Sequence, residues 1–364
     1  VMQVLGRHIR PDEAAARGEA GHFFLCLHEH REDAVIARLE EIRADVNAFN
    51  AQRETPYYLT LLAGAYLVQE PGLDITVMQD RADAARKSKP AENGRCAFYD
   101  AGITARMHLE KELVNLLDSS LANRDFKVYY QPKVRLRDGQ VASAEALVRW
   151  QLEDGTLIAP DKFIPVFEQK FMISSLDQYV FEEVCRWLRT RLDQGQRVET
   201  VAVNVSRLQF YDQDFVQRYI AIRERYQLPP ELLEIEFTES IVMDNAQLLL
   251  KIVRALKEAG FACAIDDFGK GYSSLSLLKN LPVDVVKIDS FFFSAGQDQE
   301  RDWAVVQGIV ELVQKFQIRT VAEGIESEEQ VAYLKQIGCD YVQGYVFYKP
   351  LPQEAYAALL DEGK

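Results

Sequence analysis

Apolar and polar positions change rhythm along this 364-residue chain near residue 90. Beyond that point, short apolar runs of strand length alternate with longer stretches in which apolar residues recur every three or four positions. The runs are Lys127–Gln131, Val141–Arg149, Thr200–Ser206, Leu232–Phe237, Phe261–Asp267, Val283–Ile288, Arg319–Glu323 and Asp340–Tyr345. Helical patterns fall between most of them, at Asp177–Arg191, Ala246–Ala259, Trp303–Phe316 and Glu328–Ile337. Ser327 stands where an N-cap is expected for the last of these. Strand–helix alternation predicts a mainly parallel sheet, and eight units predict closure into an α/β, TIM-type (β/α)8 barrel. Ahead of the barrel, Lys87-Ser88-Lys89-Pro90-Ala91-Glu92-Asn93-Gly94 is rich in turn formers. The spacing of Met107, Leu109, Leu113, Leu116, Leu117 and Leu121 predicts a linker helix over residues 106–124. Residues 1–105 then make a smaller α+β domain, and residues 125–364 the barrel.

Composition narrows the class of partner. With 48% hydrophobic and 27% charged residues, the chain reads as a soluble globular protein. A net charge of −14 argues against a broad grip on nucleic acid polymer. It leaves open a small phosphate ligand held by a few cations. Five cysteines, with no CxxC pair, point to reduced thiols and a cytoplasmic location. The chain begins at Val1 without a signal-peptide pattern and reads as a fragment, so a membrane anchor upstream is not excluded. The apolar stretch Tyr57 to Val68 is too short to span a bilayer.

Each strand-like run carries a polar residue at or near its C-terminal end: Gln131, Glu145, Asn204, Glu236, Asp266, Lys287, Glu323 and Gln343. In a barrel these ends converge on the face where active sites form. Strand alternation directs Asn204 away from the face of Val201, Val203 and Val205, and turns Glu234 and Glu236 inward together. Asp266 is in phase with small interior alanines, and Asp267 follows at the mouth. Crowded carboxylates such as Glu145, Glu236, Asp266, Asp267 and Glu323 call for a neutralising cation. Hard oxygen donors with Asn204 suit Mg2+ or Mn2+, in number enough for two ions. Adjacent Asp266 and Asp267 suit a bridge between them. All five histidines lie at or before His108, which removes histidine-based zinc chemistry and leaves metal-activated water as the nucleophile. Lys287 would orient that water or neutralise a phosphate oxygen, or else form an internal salt bridge.

Glu145-Ala146-Leu147-Val148-Arg149-Trp150 resembles the signature of EAL domains, phosphodiesterases of cyclic di-GMP. Tyr129-Tyr130-Gln131-Pro132, Asn204-Val205-Ser206, Glu236-Phe237-Thr238-Glu239, Asp266-Asp267-Phe268-Gly269, Lys287-Ile288-Asp289, Ala322-Glu323-Gly324-Ile325-Glu326 and Gln343-Gly344-Tyr345 follow in the family's order. The resemblance implies one metal on Glu145, Asn204, Glu236 and Asp266, and a second on Asp266, Asp267 and Glu323. It implies that Lys287 assists the attacking water, with Glu145, Asp266 and Glu323 in the catalytic set. Gln343 would hold the water and ligand network, Arg149 a phosphate and Gln131 a guanine. Glu239 and Glu326 would support the ligands from behind, Glu239 by holding the loop after Asp266. The product would be linear pGpG, and one barrel strand would run antiparallel to the rest. Two rivals are a receptor that binds cyclic di-GMP without cutting it and a barrel metallohydrolase for another phosphodiester. Retention of every metal-binding position favours the enzyme. Lys270 departs from the small residue usual in the loop Asp267–Ser274.

The N-terminal part resembles the later half of a GGDEF domain, with Glu19-Ala20-Gly21-His22-Phe23 at the signature. Gly21 and His22 replace the signature acids, so a regulatory rather than a synthetic role is expected. Arg10-Pro11-Asp12-Glu13 approximates the family's inhibitory RxxD site. A homodimer through the barrel and an upstream sensory domain are compatible with the resemblance.

Overall fold

The computed structural model describes every residue except 20, 52–58, 71, 89–95, 270–278, 294–298 and 364, together with the side chains of 240–245. The chain divides into two compact units, Val1–Leu113 and Val114–Lys364. The helix expected over 106–124 spans Ala101–Asn123, so the division falls within it. Among the described residues, no helix is long and apolar enough to cross a membrane.

The first unit opens with helix Met2–His8, followed by an antiparallel hairpin of Ala14–Arg17 with Phe23–Cys26. Helix Glu32–Ala51 comes next, then the short strands Gly64–Ala65 and Ala97–Phe98, which pair in parallel on either side of helix Ile75–Ser88. Val4, Leu5, Ile42 and Val46 form its buried core, with Phe23 and Leu25 packed against them. The Glu19–Phe23 segment, of which residue 20 lies outside the described residues, turns the hairpin. Its Gly18 N–H donates to the His22 carbonyl at 2.9 Å, and Gly21 takes a φ of +80°. Glu13 is used internally: its fully buried carboxylate accepts from Arg38 Nη1 at 2.6 Å and from the His28 backbone N–H at 3.0 Å.

In the second unit eight strands close into a barrel ringed by helices. They are β1 Phe126–Arg135, β2 Val141–Gln151, β3 Thr200–Asn204, β4 Leu233–Thr238, β5 Ala262–Phe268, β6 Val285–Ile288, β7 Arg319–Glu323 and β8 Tyr341–Gln343. All neighbours from β2 round to β8 pair in parallel, and β1 closes the ring antiparallel to both β2 and β8. This reversal corrects one expectation. Gln131 does not sit at a C-terminal strand end but midway along β1, opposite Glu145. It meets Glu145 and Gln343 because the reversed strand passes them, not because it ends among them.

The alternation works as the strand period demands. Val201, Val203, Leu233 and Ile235 are fully buried on one face while Asn204, Glu234 and Glu236 turn to the other. Phe126, Trp150, Phe163 and Phe167 form a buried aromatic cluster outside β1 and β2, and Trp150 Nε1 donates to Ser120 Oγ at 3.0 Å. Truncating one such aromatic to alanine removes about 3–5 kcal/mol. Ser327 caps helix Glu328–Gln336 as expected, in a reciprocal box with Gln330. Helices Pro160–Gln169, Phe215–Arg225 and Gln353–Asp361 lie outside the predicted set.

Candidate active site

Two glycines shape the ends of β7 and β8. Gly324 follows Glu323 at a φ of +64°, where a Cβ would come within 2.4 Å of Ser290 Cβ. Gly344 follows Gln343, where a Cβ would stand 2.0 Å from the Ile325 carbonyl oxygen. Only glycine permits this left-handed turn and this backbone approach at no steric cost. Each fixes the chain directly after a polar side chain of the strand end, Glu323 or Gln343.

Within the barrel, Lys287 is the hub. Its fully buried ammonium lies 2.8 Å from Glu236 Oε2, 2.8 Å from Glu323 Oε1, 3.1 Å from Glu145 Oε2 and 3.2 Å from Asp266 Oδ1. Asn204 Nδ2 donates to Glu145 Oε1 at 2.5 Å, and Gln343 Nε2 donates to Glu145 Oε2 at 2.7 Å and to Gln131 Oε1 at 3.1 Å. Gln131 Nε2 reaches the Tyr348 carbonyl at 3.3 Å. Glu145, Glu236 and Asp266 can bring one oxygen each within 4.8 Å of one another, close enough to share a cation. The sequence-predicted residues of β1 to β8 thus come together, and the internal salt bridge considered for Lys287 exists.

Below this layer a second lysine, not singled out from sequence, sits in the interior. Lys133 Nζ is 3.0 Å from Glu234 Oε1 and 2.5 Å from Glu236 Oε1. Alternation along β1 does place Gln131 and Lys133 on one face, but Pro132 between them reads as a strand end. The strand continues to Arg135, with a register irregularity after Lys133.

Glu234, Glu236, Glu145, Asp266 and Glu323 therefore face two ammonium groups, an excess of negative charge. The electrostatics are correspondingly split. Burial would raise the Glu145 carboxyl, but Lys287 and Lys133, with hydrogen bonds from Gln343 and Asn204, outweigh it and hold it at about 2. Burial pushes Glu236 up to about 7 against the pull of the same lysines. Glu323 is likewise driven well above the carboxylate range by burial. Lys287 loses by burial but stays well above its ordinary value because Asp266, Glu145, Glu236 and Glu323 surround it.

Asp267 is half-buried at a φ of +56°, and its N–H donates to Asp266 Oδ1 at 2.8 Å. A register shift in β5 between Ile265 and Phe268 breaks the alternation here, letting two consecutive aspartates stand at the mouth. Glu239 is buried and accepts the Gly269 N–H at 3.1 Å, while its own N–H donates to the Asp266 carbonyl at 3.1 Å. Arg149 lies on the inward side of β2, donates to the Val148 carbonyl at 2.8 Å and stacks 5.8 Å from the Tyr129 ring centre. Glu326 is exposed beyond β7, and its backbone N–H donates to Gln330 Oε1 at 2.9 Å. The structure does not bring it to the cluster. Lys270 lies outside the described residues.

A closed β/α barrel with a buried acidic centre at one mouth, organised around a lysine, is the class this geometry defines. The chain belongs to the EAL domain family, whose model matches residues 114–350. It is 33% identical over 362 residues to MucR of Pseudomonas aeruginosa, a bifunctional diguanylate cyclase/cyclic di-GMP phosphodiesterase, covering 98% of this chain and 52% of MucR. Similarity to the cyclic di-GMP phosphodiesterase NbdA of the same organism is 35% over 277 residues, covering 76% of this chain and 35% of NbdA. Among solved structures, the PaMucR phosphodiesterase in complex with cyclic di-GMP is 37% identical with a TM-score of 0.63, covering 67% of this chain and 99% of that one. The EAL enzyme Bd1971, in a form with cAMP and cyclic di-GMP bound, is 30% identical with a TM-score of 0.65, covering 71% of this chain and 70% of that one. The chain spans about half the length, or less, of these curated relatives.

Proposed function

We propose that the barrel hydrolyses cyclic di-GMP to linear pGpG with the help of two divalent cations, Mg2+ or Mn2+. The convergence of Glu145, Asn204, Glu236, Asp266, Lys287 and Glu323 at one mouth carries the reading. The donor set fits hard cations: it is all oxygen, it carries surplus negative charge, and Glu145, Glu236 and Asp266 can each bring one oxygen within 4.8 Å of the others. Glu145, Asn204, Glu236 and Asp266 would hold one ion, and Asp266, Asp267 and Glu323 the other. When bound, such ions activate water and stabilise the attacking and leaving oxygens of an in-line displacement.

The chain's own residues do the rest. Lys287 would orient the attacking water and offset charge on the phosphoryl oxygens. Gln343, itself tied to Glu145, would hold that water and the ligand network. Arg149 would meet a phosphate and Gln131 a guanine base. Attack breaks one phosphodiester bond, and the ribose 3′ oxygen leaves. Residues 1–105 would form a degenerate GGDEF-like regulatory domain, joined through a helix over 106–124 to the phosphodiesterase barrel of 125–364. The relatives named for cyclic di-GMP hydrolysis and the solved cyclic di-GMP complex support this substrate. The test is incubation of the full chain with cyclic di-GMP and magnesium or manganese, with chelator as control. Metal-dependent appearance of pGpG is expected. Binding without cleavage would instead make the protein a receptor.

A further inference from the structure

Glu234 and Glu236 stand two residues apart on β4 and face the interior together, both nearly or fully buried. Two such carboxylates repel unless a cation lies between them. Lys133 supplies it from the reversed strand β1, with a side chain only 1% exposed. Its partners divide the two oxygens of Glu236. Oε1 is bound to Lys133 at 2.5 Å, and Oε2 to the hub Lys287 at 2.8 Å. Glu234 is anchored on both sides, by Lys133 at 3.0 Å through Oε1 and by half-exposed Arg319 at 3.9 Å through Oε2. A column of alternating charge thus runs up the barrel axis: Arg319, Glu234, Lys133, Glu236, Lys287.

The column gives Lys133 a task that charge balance alone does not require. A carboxylate free to rotate can offer a cation either oxygen or both. With Oε1 tied from below, Glu236 can turn only Oε2 toward the mouth, at a height set by β1 and β4 rather than by the ion. We propose that Lys133 is a positioning residue: it makes Glu236 a one-oxygen donor held at a fixed height beneath the cation site. This rests on the cation-dependent reading above. The Lys133 side chain is closed off from solvent, 1% exposed. It acts through Glu236, as outer partners of metal ligands do.

The experiment is magnesium titration by calorimetry on the full chain, alongside rates against magnesium concentration. Two variants are needed, Lys133→Met and the double Lys133→Met/Glu234→Gln. The double variant removes both charges of the lower pair and guards against unfolding by an unpaired Glu234. Both should bind magnesium at least about tenfold more weakly than the parent, the range expected when a ligand loses its support. The loss should fall mainly on the magnesium constant, with kcat at saturating magnesium falling by less. Recovery of parental affinity in the double variant would show that Lys133 only neutralises Glu234, and would overturn the proposal. So would parental affinity in a folded Lys133→Met chain. If the single variant does not fold, the double variant decides alone. A parent that takes up no magnesium and leaves cyclic di-GMP intact defeats the proposed function itself, and this inference with it. A parent that does both, beside variants of unchanged affinity, defeats only the inference.

Discussion

Replacing Glu239 with alanine tests how the two aspartates of β5 are held. Glu239 Oε2 accepts the Gly269 N–H at 3.1 Å from a buried position, closing the turn that carries Asp266 and Asp267. That turn has backbone in the left-handed region at Asp267, φ +56°, and at Gly269, φ +96°. Left-handed backbone costs a non-glycine residue roughly 1–2 kcal/mol, though a short aspartate side chain tolerates it better than most. A hydrogen bond to a charged group contributes about 1.5–3 kcal/mol, enough to hold the turn against that tendency. Losing it from the cation-bound form alone weakens cation affinity by roughly 10–100-fold, at about 1.4 kcal/mol per factor of ten. The same range is typical when a metal ligand loses its outer partner. The assay is cyclic di-GMP hydrolysis over a magnesium series, with circular dichroism to check that the fold persists. The apparent magnesium constant should rise within that range and turnover at limiting magnesium should drop. Raised manganese should recover part of the loss, because the defect is one of ligand placement. Glu239→Gln keeps an acceptor oxygen and should be much milder. An unchanged magnesium dependence in Glu239→Ala would refute the reasoning.

Glu145→Ala removes the carboxylate that gathers Asn204, Gln343 and Lys287, and turnover should fall beyond the roughly 100-fold that loss of an outer partner costs; a variant as fast as the parent would place the metal site elsewhere. The full chain supplied with GTP should make no cyclic di-GMP, because Gly21 and His22 offer no acid to hold a metal against a triphosphate; chromatography of the products settles it. Asp177 accepts the Ser206 N–H at 2.9 Å, and burial pushes it up from 3.8 to about 7. A folded value raised above the unfolded one gives stability that is complete below the unfolded value and is lost as pH rises through the folded one. The Tm of the parent should therefore fall more than that of Asp177→Asn as pH rises from 3.8 to about 7, with the two profiles running parallel above that. Parallel Tm profiles for the two proteins within that range would count against the shift.

Much of the barrel was legible as a one-dimensional pattern. Strand alternation is local, so Val201-Ala202-Val203-Asn204 and Leu233-Glu234-Ile235-Glu236 declare their inward residues without a partner strand in view. Glu239, three residues past Glu236, was out of phase with the inward ligands, and the structure puts it behind the turn rather than in the cluster. The shorter helices were harder to read. Phe215, Tyr219 and Ile222 do share a buried face of Phe215–Arg225, but eleven residues hold few turns of the pattern, and Pro165 interrupts Pro160–Gln169.

The direction of β1 could not be read from its residues, because alternation looks the same whichever way a strand runs; only its pairing with β2 and β8 decides it. The same pairing carries β1 past Pro132 and brings Lys133 to carboxylates 101 and 103 residues away in the chain. Nothing within a short window of sequence distinguishes a lysine that will be buried in this way from one that will lie in water. Its cost of burial is met only once Glu234 and Glu236 arrive from another strand. The inward residues were thus set by local periodicity. The partners that make their burial tolerable were set by closure of the barrel, because ion pairing acts between side chains that only the tertiary fold brings within 3 Å.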